Sequence, residues 1–577
     1  MKKNLILLLL IFCVGLMSSA VSAGLYDTYT IYSVGAYSEA VAVGDINNDS
    51  RIDVVVVSSF KGGETNGLCV FLQNESGTFN SKVIYATSSN PSSVGIGDVN
   101  NDGRQDVVVA NSNENNIKVF IQNNTGTLNT PVLYPVDSQP DSIKIGDVDG
   151  DGENDVVVSN ALSDSISVLI QNAGVLSPQV TYSITSYGNN KIDIGDMNND
   201  GRKDVIVMRG KKSGIDDVAV FIQNVTNTLD TPVYRGVSGV DTRVFGMAAG
   251  SVNGDSRADI VTTFGANTNT YVAVFIQNNA ASLDTPVNYT AYNSPGAVAI
   301  GDVSGDGKND VVVLHDGQGK MSVYKQNSES TLSAYSSYSL PYSSSFNPHS
   351  IALGDVNGDS ICEVLVADRD YGLIVLRQVY SFSFATSQMT VQPGQPTDAI
   401  RVQILNGDSE KASVFSGTVT LSTTSSAGKF SINKSPWVDT TTIILTGGEV
   451  SFYYKDSTLG YSTIKVSRSG FTSASQSVLV EIPSKIIPYN NVFNPAKGEK
   501  TTIWYDISSN CRVTIKVYNL IGELVKVLVD EDKSAGQGYS VDWKGENSDG
   551  SIIASGVYLI HITAGLFNST TKALVIK

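Results

Sequence analysis

Over residues 40–380, apolar positions come in short β-branched runs, and no 3.6-residue period appears. VVVV at 54–57, VVV at 107–109 and 156–158, VIV at 205–207 and VVV at 311–313 each follow an alternating segment such as Ser93–Gly97 or Ala297–Gly301. A polar stretch separates each run from VFLQN (70–74), VFIQN (119–123), VLIQN (168–172), VFIQN (220–224), VFIQN (274–278) or VYKQN (323–327). A Gly/Thr/Asn turn comes next, then a fourth alternating run such as Lys82–Ala86 or Pro131–Pro135. Valine, isoleucine and aromatic residues bounded by turn residues read as strands. The pattern predicts four short antiparallel strands in each unit of about 50 residues.

The segment between the first and second predicted strands is itself repeated. It reads GDINNDSRIDVVVV at 44–57, GDVNNDGRQDVVVA at 97–110, GDVDGDGENDVVVS at 146–159 and GDMNNDGRKDVIVM at 195–208. It returns as GSVNGDSRADIVTT at 250–263, GDVSGDGKNDVVVL at 301–314 and GDVNGDSICEVLVA at 354–367. A four-stranded unit cannot bury both faces alone, but stacked neighbours can. Seven units predict a closed β-propeller over 24–380. The seventh unit offers strands at Ser350–Gly354, Glu363–Ala367 and Leu373–Arg377 and lacks a fourth. Thr28–Val34 has the fourth-strand pattern (TYTIYS against VIYATS at 83–88), so it is predicted to pair onto blade seven and close the ring.

From residue 381 the repeat stops. Alternating runs at Ile400–Ile404, Gly417–Ser422, Thr442–Leu445, Val450–Tyr454 and Ser462–Val466 predict a β-sandwich over 381–483. Residues 484–577, with CRVTIKVYNLIGELVKVL at 511–528, resemble Ig-like C-terminal domains, which implies a second sandwich. The fold class is therefore all-β, a seven-bladed propeller followed by two sandwiches.

Each repeated loop carries oxygen side chains at positions 1, 3, 5 and 9, with glycine or serine at 6. The sets are Asp45, Asn47, Asp49 and Asp53; Asp98, Asn100, Asp102 and Asp106; Asp147, Asp149, Asp151 and Asp155; and Asp196, Asn198, Asp200 and Asp204. Two more are Asp302, Ser304, Asp306 and Asp310, and Asp355, Asn357, Asp359 and Glu363. A hard cation takes six to eight such oxygens, with the position-7 carbonyl as another, and carboxylates this close repel unless one is present. Calcium is the expected ion, bound at about 10⁻⁴–10⁻³ M as in extracellular modules. The fifth copy has Ser251 at position 1, which weakens the case for a site there. The spacing matches an EF-hand loop, but strands flank it, so the sites are expected to be structural rather than sensory.

Charge and leader narrow the class. Lys2 and Lys3, the apolar run Leu5–Leu16 and Val21-Ser22-Ala23 predict an export signal over 1–23. Its removal leaves 37 basic residues against 56 acids, a net charge of −19. That argues against nucleic acid and anionic membranes as partners. The remaining cysteines, Cys69, Cys362 and Cys511, are too few and too scattered for a disulfide framework. No further apolar stretch reaches membrane-spanning length.

The repeats resemble the FG-GAP/VCBS units of integrin alpha propellers and bacterial surface proteins. That resemblance implies calcium between the first and second strands of a blade. Residues 447–467 (GGEVSFYYKDSTLGYSTIKVS) resemble bacterial Ig-like domains of the invasin kind. CRVTIKVYNLIGELVKVL (511–528) and VDWKGENSDGSIIASGVYLIHI (541–562) resemble the Ig-like domain of flagellar hook-capping proteins or a type IX sorting domain. Together these suggest a secreted or cell-surface binding or adhesion protein with a glycan or protein ligand. The alternative is a polysaccharide lyase or hydrolase, since some such propellers are enzymes. For the ligand face, opposite the acidic loops, the sequence offers Arg209, Lys211, Lys212 and Arg243 as a basic patch and His315, Phe346 and His349 as a stacking patch.

Overall fold

The computed structural model describes residues 24–577, apart from 36, 60–66, 88–89, 185–190, 210–217, 237–242, 267–268 and 342–347. The proposed export signal lies outside the described residues.

The valine runs form the second strand of each blade and are buried on both sides. Asp53–Ser59 pairs with Tyr37–Gly44 on one edge and Gly67–Phe71 on the other, and Val83–Ala86 completes blade one. Successive side chains point to opposite faces. Val54 and Val56 pack against Leu365, Ala367 and Val375 of blade seven. Val55 and Val57 pack against Val107, Val109 and Phe120 of blade two. One run thus serves two interblade cores, which explains why it does not alternate with polar residues. Full burial of each valine contributes roughly 1.5 kcal/mol or more.

Seven four-stranded sheets follow this plan. The first strands of successive blades contact one another in turn, and Pro348–Gly354 contacts Tyr37–Gly44, which closes the ring. The predicted closure is present. Tyr26–Tyr32 pairs antiparallel with Gly372–Gln378, placing Thr30 opposite Val375 and Tyr32 opposite Leu373. Leu25, Tyr26 and Val34 are buried around it.

The first compact unit comprises the chain to Tyr380 together with Leu405–Ser416. The sequence placed 405–416 in the following sandwich, yet its contacts are with the ring. Asn406 Nδ2 donates to the Ser304 carbonyl at 3.0 Å, and Lys325 Nζ lies 2.9 Å from Asp408 and 2.7 Å from Glu410. The Val414 and Ser416 amides donate to the carbonyls of Gly305 and Asp359.

The second unit holds Ser381–Ile404 and Gly417–Lys577. A four-stranded and a five-stranded sheet come first, including Ile400–Asn406 and Glu449–Lys455 in one, and Gly417–Thr423, Thr442–Leu445 and Gly460–Ser467 in the other. Val402 and Val419, and Ile464 and Val466, are buried in alternation with exposed or half-buried neighbours. A three-stranded and a five-stranded sheet then share a core of Ile503, Tyr505, Ile515, Val517, Trp543 and Ile560. Cys69, Cys362 and Cys511 are free thiols.

Candidate metal centre

The acidic loops turn between the first and second strands of each blade. In loop one, Asp45 Oδ1 accepts the amides of Asn47 and Asp49, and its Oδ2 accepts that of Ser50 at 2.7 Å. Asp98 and Asp196 do the same in loops two and four. The position-1 carboxylate therefore winds the backbone around itself. Residues at positive φ complete the turn, Gly103 at 80° and Ser50 at 66° among them.

Position 9, a ligand arm in the sequence, also ties the backbone together. Asp53 is fully buried; its Oδ2 accepts the Ile46 amide at 2.9 Å and its Oδ1 the Gln73 amide at 2.7 Å. Asp106 makes the equivalent bonds to Val99 and Gln122, Asp155 to Val148 and Gln171, and Asp204 to Met197 and Gln223. It is a brace tying the loop to the exit of the third strand. Glu363, one carbon longer, keeps the bond to Val356 at 2.9 Å and turns its other oxygen to Asn357 Nδ2. Burial is the main cause that raises these carboxyls, with the neighbouring loop acids adding to it and the two amides opposing. Asp53, Asp106, Asp204 and Asp259 stand at about 6, and Asp155 and Asp310 at about 7.

The sequence reading missed the arginine at position 7. Arg51, Arg104, Arg202 and Arg257 each fold back onto the position-5 carboxylate of their own loop, Asp49, Asp102, Asp200 and Asp255. Their Nε atoms donate to the carbonyls of Gln73, Gln122, Gln223 and Gln277 at 3.2–3.4 Å. Position 7 is Glu153, Lys308 and Ile361 in the other three loops. In loop three, the ligand atoms of Asp147, Asp149 and Asp151 lie within 4.8 Å of one another, the one such group of acids, histidines or cysteines among the described residues. Oxygen donors alone at that spacing fit a hard cation such as calcium. In loop five, Ser251 Oγ reaches Asn253 Oδ1 at 3.3 Å rather than organising the backbone as an aspartate does.

The glutamine of the V-F-x-Q-N motif connects blades. Gln122 Nε2 donates to the Asp45 carbonyl at 3.2 Å and Gln277 Nε2 to that of Asp196 at 3.0 Å, each reaching the acidic loop of the preceding blade.

Two of the residues postulated for the ligand face, His315 and Arg209, are buried. His315 is fully buried, its Nδ1 3.1 Å from the Asn293 carbonyl and its Nε2 2.7 Å from Ser322 Oγ. Burial lowers its pKa to about 4, so it is a neutral core histidine. Arg209 is also buried, its guanidinium 4.2 Å from the centre of the Tyr234 ring. Both corrections have one cause: these residues end or follow second strands, which lie inside the blade stack. Lys211, Lys212 and Phe346 lie outside the described residues. For Arg243 and His349, only the backbone is described, in strands Arg243–Gly250 and Pro348–Gly354.

The FG-GAP-like repeat matches residues 45–109, 98–158, 147–207, 251–313 and 302–366. Five FG-GAP-like repeats thus lie within the ring. No curated protein matches the chain. Among solved structures, a functionally unknown protein from Desulfotomaculum acetoxidans is 11% identical, with a TM-score of 0.39, over 65% of this chain and 94% of that one. The Dos1 propeller is 11% identical, with a TM-score of 0.39, over 74% and 95%. A luciferin-regenerating enzyme is 12% identical, with a TM-score of 0.31, over 50% and 91%.

Proposed function

We propose that this chain is an exported, calcium-stabilised β-propeller that binds a glycan or protein outside the cell. The observation that carries the reading is the recurrence of one acidic loop, in register, at the same turn of every blade. Asp147, Asp149 and Asp151 would hold calcium in loop three. In the other loops the acids at positions 1 and 5 would do so, joined by Asn47, Asn100, Asn198, Ser304 or Asn357. Bound calcium supplies positive charge that relieves repulsion between the loop acids. The chain's own residues contribute the wound backbone, the buried brace and the interblade glutamine. A ring held this way is a rigid scaffold, and connecting loops on rigid scaffolds are where recognition resides. The leader-like residues 1–23 support export, and among the described residues no helix is long and apolar enough to cross a membrane. The two C-terminal sandwiches are read as Ig-like, the last as hook-cap-like or sorting.

The test is calorimetric melting of the mature chain with calcium and with chelator, alongside glycan and protein arrays under both conditions. At tenfold excess over Kd, each site adds about 1.4 kcal/mol. An unchanged melt in chelator would reject the calcium role. Cleavage of a uronic-acid polysaccharide without retention on any array would favour an enzyme instead.

A further inference from the structure

The third loop differs from the others in its charge pattern. It alone carries acid at positions 1, 3, 5, 7 and 9: Asp147, Asp149, Asp151, Glu153 and Asp155. Where loops one, two, four and five place an arginine against the position-5 carboxylate, it has Glu153. The Oε1 of Glu153 accepts from Asn101 Nδ2 at 2.8 Å, and its Oε2 is buried without a partner. Its interblade glutamine lacks the bond that Gln122 and Gln277 make. Gln223, from blade four, is fully buried, and neither its Nε2 nor its Oε1 has a hydrogen-bond partner.

Gln223 meets the acidic loop directly. A Cβ built on Gly150, at loop position 4, would lie 2.9 Å from Gln223 Nε2. The carboxamide thus stands against the turn that carries Asp149 and Asp151. Leaving a buried amide unpaired costs about 1–3 kcal/mol. Gln171, facing loop two, is unpaired as well, but there Arg104 already neutralises Asp102. Gln73, of blade one, also has a buried Nε2 without a partner, but among the described residues Asp147, Asp149 and Asp151 are the one set of acids whose ligand atoms lie within 4.8 Å of one another, and there a carboxamide with neither atom paired meets a loop with no arginine at position 7. Rotation of the carboxamide about its terminal bond exchanges nitrogen for oxygen, so the group can offer a hard oxygen donor.

We infer that loop three is a tighter divalent-cation site than the arginine-braced loops, and that its cation is shared with blade four through the Gln223 carboxamide. The inference rests on the calcium reading above and goes beyond it by ranking the loops and adding a ligand from the neighbouring blade. More uncompensated carboxylates raise calcium affinity. A ligand on the next blade makes this cation a cross-link between blades three and four.

The test is calcium titration of the metal-depleted mature chain by calorimetry, with native mass spectrometry counting ions. Wild type should fill one site at least about tenfold more tightly than the rest. Asp149→Asn, which installs the residue found in loops one, two and four, should abolish that step and leave the weaker ones. Gln223→Met should weaken it about fivefold or more, whereas Gln223→Glu should hold or tighten it; Gln277→Met, at the arginine-braced loop four, should leave it unchanged. A purely structural glutamine would make Met and Glu act alike. If Asp149→Asn removes the tight step but both Gln223 variants match wild type, the sharing is wrong while the calcium reading stands. Uniform sites in wild type would overturn the ranking. A chain that takes up no calcium would overturn the proposed function itself.

Discussion

Asp53 accepts the backbone amide of Gln73 at 2.7 Å, twenty residues further along the chain, and has no exposed surface. The same bond joins Asp106 to Gln122, Asp155 to Gln171, Asp259 to Gln277 and Asp310 to Gln326. A side chain with ligand chemistry in the sequence is also part of the frame.

Asp106→Asn should therefore destabilise the ring even without calcium. An asparagine has one acceptor oxygen, so its NH₂ would confront one of two buried amide donors. The expected loss is about 2–3 kcal/mol, read as a lower denaturant midpoint in chelator. Asp102→Asn, on a half-open position, should cost less under those conditions. Equal losses would show that position 9 is no brace.

The raised carboxyls set the pH response of the calcium-free protein. Their folded-state values, about 6 to 7, exceed the unfolded value of 3.8, so the folded state binds protons more tightly. That contribution is complete below pH 4 and is lost as pH rises through 6 to 7. A rise from 3.8 to about 6 is worth on the order of 3 kcal/mol per group. His315, held near 4, opposes this by destabilising the fold as pH falls below 6.5. One histidine against six or seven acids leaves the acids dominant. The melting temperature in chelator should fall between pH 4 and 7, and saturating calcium should flatten or reverse the slope. A rise across that window in chelator would contradict the assignment.

Removing residues 24–34 should open the ring. Leu25, Tyr26 and Val34 would leave the core, at roughly 2 kcal/mol each. The edge of Gly372–Gln378 would then be free to pair with another chain. Light scattering should show self-association that the intact chain lacks. A monomer of unchanged stability would mean that this strand does not seal the ring.

His315→Phe should lower stability and leave ligand binding alone. The ring oxygen partners, the Asn293 carbonyl and Ser322 Oγ, would lose their bonds at about 1–3 kcal/mol each. A variant as stable as its parent but defective in binding would restore His315 to the ligand face.

The fold was legible because its signals recur. A single VVVV run is ambiguous, but the same run after the same loop in every unit is not, and the similarity of Thr28–Val34 to other fourth strands located the closure. Site details were hidden for specific reasons. Position 7 was read for its carbonyl, so nothing about Arg104 pointed to Asp102. Nothing in the V-F-x-Q-N motif singles out its glutamine, and only the ring brings Gln122 to Asp45. His315 sits where second strands give way to loops, and a shift of a residue or two decides between core and surface. Within 381–483, Lys429–Ser431 and Met389–Val391 are too short to show alternation, and 405–416 has no pattern that would assign it to the ring.

Pairing Tyr32 with Leu373 also sets a schedule. The segment that finishes the ring is synthesised hundreds of residues before its partner, so it must wait unpaired while every other blade is made. Contacts this distant in sequence form slowly, and unpaired edges invite misassembly meanwhile. A chain passing leader-first through an export channel would therefore emerge with its clasp ready and its catch still inside. On the export route proposed above it could not lock into its final form until blade seven had crossed, which would keep it threadable for as long as threading is needed.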